Sequence, residues 1–230
     1  MKLLALETST ESCSVALRIG SGLRVRRHAG AREQTAHVLP MVQALLAEAG
    51  IGLRELDAIA CAHGPGAFTG VRVAVSVAQG LAFGASLPAV GISTLAALAQ
   101  QAVRLDAAAA FVLPALDARM GELYAGVYAR GADGLVDSLA PDRLCRPEDF
   151  AAGVPSGHDW TGIGSGWTAY GAGVLGVTPV RTLVAEPDAE DVLRLAERAL
   201  ARGEAVTPEQ LIPVYLRDTV AWKKIAEQGK

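Results

Sequence analysis

The chain has 230 residues, enough for one large domain or for two small ones that each bury a core. Hydrophobic residues make up 51% and charged residues 20%, which excludes a disordered chain and is typical of a folded globular protein. The net charge of −3 gives the molecule no global field that would draw it onto nucleic acid.

Cysteines and leader-like segments exclude further classes of protein. Cys13, Cys61 and Cys145 form no CxxC pair, and the first two lie in apolar runs, so we expect buried free thiols there. The opening stretch MKLLALETST has too few apolar residues for a signal peptide. No apolar run approaches the roughly 18 residues that a membrane span requires. We therefore expect a cytoplasmic protein.

The first half of the chain predicts the order βββαβαβα. Gly20-Ser21-Gly22 separates two alternating strands and is a hairpin signal. A basic run, Arg24, Arg26, Arg27 and Arg32, is predicted to lie on the solvent face of the third strand and beyond it. The expected strands span 2–7, 13–18, 23–28, 57–62 and 88–92, and the expected helices span 35–49, 71–83 and 94–104.

The second half predicts a shorter and less regular set of elements. The expected elements are strands at 111–117, 122–130 and 135–139, a short helix at 147–153, a strand-to-loop corner at 161–167 and an amphipathic helix at 188–202. An alanine run near 105–110 is the predicted boundary. It divides the chain into an N-terminal lobe of residues 1–107 and a C-terminal lobe of residues 108–230, which we expect to pack as related units.

The stretch ETSTES after the first strand is a candidate phosphate-facing turn. The backbone amides of Ser9 and Thr10 could point at an anion. Actin and the sugar kinases have Asp-x-Gly at this place, whereas Glu7 and the side chain of Ser9 crowd the approach here. Glu7 and Thr10 are therefore weak candidates for cofactor binding.

The loop HGPGAFTGVR resembles two nucleotide-binding patterns and fits neither. A P-loop requires a lysine after its last glycine, but Gly70 is followed by Val71. A dinucleotide fingerprint would need its third glycine at position 69, which is a threonine. We expect a structural corner from strand to helix, with Gly64, Gly66 and Gly70 as the structural glycines.

Catalytic nucleophile and metal patterns are weak. No two of the four histidines form an HxxxH or HExxH pair, so His37 and His63 are predicted to be surface or capping residues. The run 117–122, DARMGE, is predicted to be a charged β-turn. The sequence thus predicts no catalytic residue and no metal ligand.

Four stretches together resemble the TsaB (YeaZ) family: ETST, HGPGAFTGVR, DARMGELYAGVY and PVYLRD. The resemblance covers essentially the whole chain in the same order. It implies a role in the bacterial tRNA threonylcarbamoyladenosine pathway. It also implies an α/β actin-like ATPase (ASKHA) superfold, with two ribonuclease-H-like lobes of which the second is degenerate.

The resemblance further implies a non-catalytic partner of the transferase TsaD. That enzyme carries a metal-binding HxxxH on the helix after the fifth strand, and the matching positions here are Thr94 and Leu98. Neither side chain can replace an imidazole as a metal ligand. We therefore expect this chain alone to bind no cofactor, and we expect ATP and a metal in the partner subunits. The expected partners are TsaD in a heterodimer, the ATPase TsaE, tRNA indirectly, and a second copy when the chain is isolated.

The implied interface is formed by helices 35–49 and 71–83. Met41, Leu45, Val73 and Val77 are candidates for an exposed apolar strip, and about half of the apolar residues are expected to face the lobe's own sheet. Small residues would let partner helices approach closely. The full candidate set for partner binding is Met41, Ala44, Leu45, Val73, Ala74, Val77 and Ala78.

Two alternatives remain at this stage. A stand-alone actin-like ATPase or kinase would bind ATP through Glu7 and Thr10, and a metallopeptidase would need a metal that the missing HxxxH argues against. The roles of Arg72 and Arg119 stay open. The charged tail 222–230 is expected to be loose or to fold on binding TsaE.

Overall fold

A computed structural model describes residues 1–30 and 33–217. Arg32 of the basic run and the tail 222–230 lie outside the described residues. The ten strands described are β1 Lys2–Glu7, β2 Ser12–Ile19, β3 Gly22–Ala29, β4 Ala58–Ala62, β5 Ala89–Ile92, β6 Phe111–Arg119, β7 Glu122–Arg130, β8 Val136–Cys145, β9 Trp160–Ile163 and β10 Arg181–Leu183. The five helices described are α1 Gln34–Ala49, α2 Phe68–Ala85, α3 Thr94–Leu105, α4 Ser165–Leu175 and α5 Ala189–Ala201.

The first sheet has the strand order β3-β2-β1-β4-β5. β1 pairs antiparallel with β2 and parallel with β4, with Leu4 opposite both Leu17 and Ile59. The middle strands read as continuous apolar runs because helices cover both faces of the sheet. Cys13 on β2 and Cys61 on β4 are buried free thiols, which confirms that prediction.

The second sheet repeats this topology. Its order is β8-β7-β6-β9-β10, and β6 pairs antiparallel with β7 and parallel with β9, as β1 does with its neighbours. The repeat is reduced in two places. Short 3₁₀ turns within 147–153 stand where α1 stands in the first half, and α4 is interrupted at Gly171, whose φ is +74°.

The helices form layers on and between the sheets. α1 and α2 cover the outer face of the first sheet, and α4 covers the outer face of the second. α3 and α5 lie in the middle, where α3 packs on the second sheet and α5 packs on the first. The largest apolar core therefore lies between the sheets, and it joins residues from both halves of the chain.

Most predicted elements are confirmed, and the larger differences lie in the second half. In the first half, α2 begins at Phe68 instead of Val71, and a 3₁₀ turn at Leu53–Glu55 was not expected. α4 and β10 were not expected, and the predicted helix at 147–153 is a pair of 3₁₀ turns. α4 contains Gly166, Gly171 and Gly173, which weaken any helical signal. Tertiary contacts fix it instead, including a hydrogen bond of 2.9 Å from Nε1 of Trp167 to the carbonyl of Leu113.

The solvent face of β3 is as predicted. Arg24, Arg26 and Arg27 are all exposed. Arg27 reaches across to the second half of the chain, where its guanidinium binds the carboxylates of Asp188 and Glu190 at the start of α5. Arg27 thus holds the start of α5 on the first sheet, whereas Arg26 pairs with Glu48 of α1.

Candidate functional site

A cleft of about 850 Å³ separates the two lobes. Its walls come from the β1–β2 turn, from the loop that precedes α2, and from the β6–β7 turn. The segment 211–217, which we call the crossing segment, contributes Tyr215 and Arg217 to the rim. A cleft between two such lobes is the expected place for a ligand.

In the turn after β1, one of the two backbone amides that suggested an anion site is bonded within the chain. Glu7 is fully buried, and its Oε1 accepts hydrogen bonds from the Ser9 amide at 2.5 Å and from the Ser9 hydroxyl at 2.6 Å. The amide that could have met a phosphate is therefore already bonded. Burial raises the pKa of Glu7 to about 7 despite these bonds. Thr10 lines the cleft, with its hydroxyl 3.3 Å from that of Ser12.

The glycine loop is packed against the chain itself. A methyl group at Gly66 would lie 2.6 Å from the carbonyl oxygen of Ser9, and one at Gly70 would overlap the carbonyl of Thr8. Gly64 has a φ of +115°, and a methyl group there would overlap the carbonyl of Val214. Close approach of backbones accounts for all three glycines without a ligand.

His63 differs from its predicted place. It lies over Gly91 rather than on the surface, and burial lowers its pKa. Its backbone carbonyl accepts the N–H of Val214 at 2.7 Å. The residue thus helps to seat the crossing segment on the first lobe.

Arg72 and Arg119 have different surroundings. The guanidinium of Arg72 lies 3.5 Å from the ring centre of Phe68, and its Nε donates to the Tyr215 hydroxyl at 2.7 Å. Arg119 is 74% exposed, and it pairs with Glu11 and with Asp117 in the predicted β6–β7 turn. Arg72 therefore joins α2 to the crossing segment, whereas Arg119 makes an exposed ion pair across the cleft with Glu11 of the first lobe.

The first turns of α3 are filled by core packing. Thr94 and Leu98 are both 0% exposed. The Leu98 side chain packs against Gly164, which follows β9 of the second sheet. A methyl group placed at Gly164 would lie 2.7 Å from the Leu98 side chain. A hydroxyl and an alkyl group in this setting offer no pair of metal ligands.

The predicted exposed strip on α1 and α2 is wrong in part. Met41 and Leu45 are 9% and 1% exposed and belong to the core between these helices and the sheet. Ala74 and Ala78 are also buried there. Ala44, Val73 and Val77 are partly exposed. A helix that packs on a sheet must bury one stripe of its side chains. Four of the seven residues predicted to bind a partner belong to that buried stripe.

A different set of residues forms the outer face of α1 and α2. On α2 the face is built from small residues beside one large aromatic ring, since Phe83 is 70% exposed. Among the described residues, nothing lies within 4 Å of a methyl group placed at Gly80 or at Gly84. The outer face comprises Leu39 of α1 with Ser76, Gly80, Phe83 and Gly84 of α2, flanked by Val73 and Val77.

α2 is also unusually apolar for a helix that covers a sheet. The mean hydropathy of its 18 residues is 1.3. By length and composition alone, this helix could cross a membrane. The sequence analysis did not predict such a helix. Only 39% of that stretch is buried within the molecule. Among its exposed side chains, Phe68 and Phe83 are large and apolar, so the fold leaves some apolar surface of α2 uncovered.

Histidines from two separate elements meet at the start of α1. The side chain of His28 lies near those of Glu33 and His37. The spacing of these residues in the sequence did not predict the cluster. The sequence missed it because one histidine is on a strand and the other on a helix, and only the β3–α1 connection brings them together.

The repeated strand order defines the class of this chain: an α/β protein of the actin-like ATPase superfold with two ribonuclease-H-like lobes. A family described as "TsaD: tRNA N6-adenosine threonylcarbamoyltransferase" matches residues 28–225. The chain is 41% identical to the Escherichia coli K12 protein named tRNA threonylcarbamoyladenosine biosynthesis protein TsaB, over 98% of both chains. It is 37% identical to the Haemophilus influenzae protein of the same name, over 98% of this chain and 97% of that one.

A solved structure agrees with these relatives. The structure described as YeaZ from Pseudomonas aeruginosa is 44% identical, covers 94% of this chain and 99% of its own, and superposes with a TM-score of 0.88. The chain belongs to the TsaB (YeaZ) family of tRNA threonylcarbamoyladenosine biosynthesis proteins.

Proposed function

We propose that the chain is the non-catalytic, activating subunit of a cytoplasmic tRNA threonylcarbamoyladenosine modification complex. It pairs with a TsaD-type transferase through α1 and α2 and recruits the ATPase TsaE. Contact with tRNA is made through the complex, and ATP and the catalytic metal are held by the partner subunits. The observation that supports this proposal is the buried first turn of α3: the family resemblance matches Thr94 and Leu98 to the transferase's metal ligands, and both side chains are 0% exposed.

The interlobe cleft supports the same conclusion. A nucleotide phosphate would need backbone amides that face it, and the Ser9 amide is bonded to Glu7 instead. A kinase acting alone would still use this cleft, whose volume is large enough for a nucleotide. Saturable ATP binding by the isolated chain, lost in Thr10→Ala, would favour that second candidate. The metallopeptidase alternative requires metal ligands that the α3 turn does not supply.

The outer face of α1 and α2 is the proposed contact with the transferase. Gly80 and Gly84 leave a shallow gap along α2 in which a helix of the partner can approach closely. Phe83 lies beside this gap as an exposed aromatic side chain, and aromatic residues, phenylalanine included, are enriched in the cores of protein interfaces. In the absence of the transferase, the same face would favour pairing with a second copy.

Gly80→Leu tests this contact with little risk to the fold. Leucine has a higher helix propensity than glycine, and the position is open, so the isolated chain keeps its stability. Affinity for the transferase should fall at least about tenfold, because the side chain fills the gap. Gly173→Leu on α4 is the matched control, since it too is an open helical glycine but lies in the other lobe. Calorimetric titration measures both affinities.

Reconstitution of the modification tests the role as a whole. Purified transferase, TsaE, tRNA, ATP and the group donor threonylcarbamoyl-adenylate are expected to form little product without this chain, to form full product with it, and to form little with Gly80→Leu. Full product in its absence contradicts the activating role. Turnover of threonylcarbamoyl-adenylate by the chain alone contradicts the non-catalytic role.

A further inference from the structure

Three side chains that commonly bind metals converge where β3 ends and α1 begins. Nε2 of His28 lies 2.6 Å from Oε2 of Glu33, and Nε2 of His37 lies 3.7 Å from the same oxygen. All three ligand atoms lie within 4.8 Å of one another. The two imidazole rings are stacked, with their centres 3.6 Å apart.

We propose that His28, Glu33 and His37 bind one zinc ion or a similar divalent transition-metal ion. Two imidazole nitrogens and one carboxylate oxygen are a donor set that suits Zn²⁺, Ni²⁺ and Cu²⁺. Around a tetrahedral zinc with bonds of about 2.0–2.1 Å, ligand atoms are roughly 3.3 Å apart. The separations of 2.6 and 3.7 Å lie on either side of that value, and the two imidazole nitrogens lie within 4.8 Å of each other. Side-chain movements of roughly 1–1.5 Å, in which the stacked rings turn apart, would complete the site.

The local backbone leaves room for this cluster. A methyl group at Gly30 would lie 2.5 Å from Oε2 of Glu33 and 2.8 Å from Nε2 of His28. Glu33 is the residue that precedes α1, yet its side chain makes no capping hydrogen bond to the helix. Its carboxylate is directed to the histidines instead, as a metal ligand would be.

The site is separate from the α3 turn and from the cleft. It lies on the outer side of the first lobe, where it would join the edge strand β3 to the first turns of α1. Three protein ligands leave one position for water. The proposed consequence is structural: the ion fixes the start of α1 relative to the sheet. This inference depends only on the cluster and not on the function proposed above.

Zinc titration of the full-length, tag-free chain tests the site. With a chromophoric chelator as competitor, the wild-type chain should bind one equivalent. His37→Gln should weaken binding by about tenfold or more, since one of three ligands is lost. Gly30→Ala should also weaken it, although it removes no ligand. His158→Gln is the control, because that histidine stacks on Phe111 in the other lobe.

Two outcomes would overturn the proposal. One is a single tight equivalent of zinc that persists in the His28→Gln/His37→Gln double variant. The other is wild-type binding no tighter than that of this variant. A second readout is the melting temperature, which zinc should raise in the wild type and leave unchanged in the double variant, because a ligand of the native state stabilises it.

Discussion

Glu7 shows how a single buried carboxyl group sets a pH dependence. Its side chain is fully buried, and among the described residues its Oε2 has no hydrogen-bond partner. Burial raises its pKa to about 7, against the hydrogen bonds from Ser9, and the nearby carboxylates of Asp188 and Glu186 add to the increase. The charged form is therefore disfavoured in the folded state, whereas the unfolded chain ionises near its ordinary pKa of 4.5.

The stability contributed by this group is present below pH 4.5 and is lost as the pH rises to about 7. The full effect is on the order of 3 kcal/mol. Glu7→Gln cannot ionise, so its free energy of unfolding should fall less than that of the wild type between pH 5 and pH 8. Urea denaturation at both pH values measures the two differences. Equal differences would show that Glu7 does not titrate in this range.

At the scale of elements, the sequence predicted the positions of helices and strands better than it predicted which face of each helix is buried. α1 and α2 are predicted by their periodicity, yet Met41 and Leu45 face the sheet instead of a partner. Apolar residues lie on both faces of α2, with Val71 and Val75 buried and Phe68 and Phe83 exposed, so its pattern does not show which face the sheet covers. The inward face depends on how the helix is seated by its neighbours, and a single sequence does not contain that information directly.

α3 and α5 are joined by an ion pair that the sequence did not suggest. Arg104 at the end of α3 donates to both carboxylate oxygens of Asp191 on α5, at 2.9 and 2.8 Å. The Asp191 side chain is 0% exposed, and its pKa is raised to about 6 because burial outweighs the attraction of Arg104. The two residues are 87 positions apart, and only the packing of α5 between the lobes brings them together.

Arg104→Met is expected to lower the free energy of unfolding by about 3 kcal/mol at pH 8, because it leaves a buried carboxylate without its partner. The loss should shrink at pH 5, where Asp191 without Arg104 holds a proton. The double variant Arg104→Met/Asp191→Asn should lose less free energy of unfolding than the sum of the losses in the two single variants. Strictly additive losses would mean that the pair is not coupled.

At the scale of the whole molecule, two of the motifs that carried the family resemblance prove to be contacts between the lobes. The crossing segment contains PVYLR, and its Val214 binds the first lobe through the His63 carbonyl. Its Arg217 binds the second lobe through Glu122 at 2.6 Å and the Ala118 carbonyl at 3.2 Å. Glu122 and Ala118 belong to the DARMGE turn. The sequence contained both motifs, but it did not show that they meet.

The crossing segment therefore holds the lobes at a fixed separation across the mouth of the cleft. Arg217 is 18% exposed and makes charged hydrogen bonds, so Arg217→Ala should lower the free energy of unfolding by about 1–2 kcal/mol. It should also speed hydrogen exchange at the β6–β7 turn and in residues 211–217, since one contact anchors both.

Arg119→Ala is the matched control for this prediction. Arg119 lies in the same turn and also pairs with the first lobe, through Glu11, but both side chains of that pair are more than 70% exposed, so its loss should change both quantities much less than Arg217→Ala does. Hydrogen-exchange mass spectrometry of the two variants separates the cases. Equal exchange in Arg217→Ala and Arg119→Ala would mean that the lobes are held mainly by the α3–α5 core, and that the crossing segment follows their arrangement without fixing it.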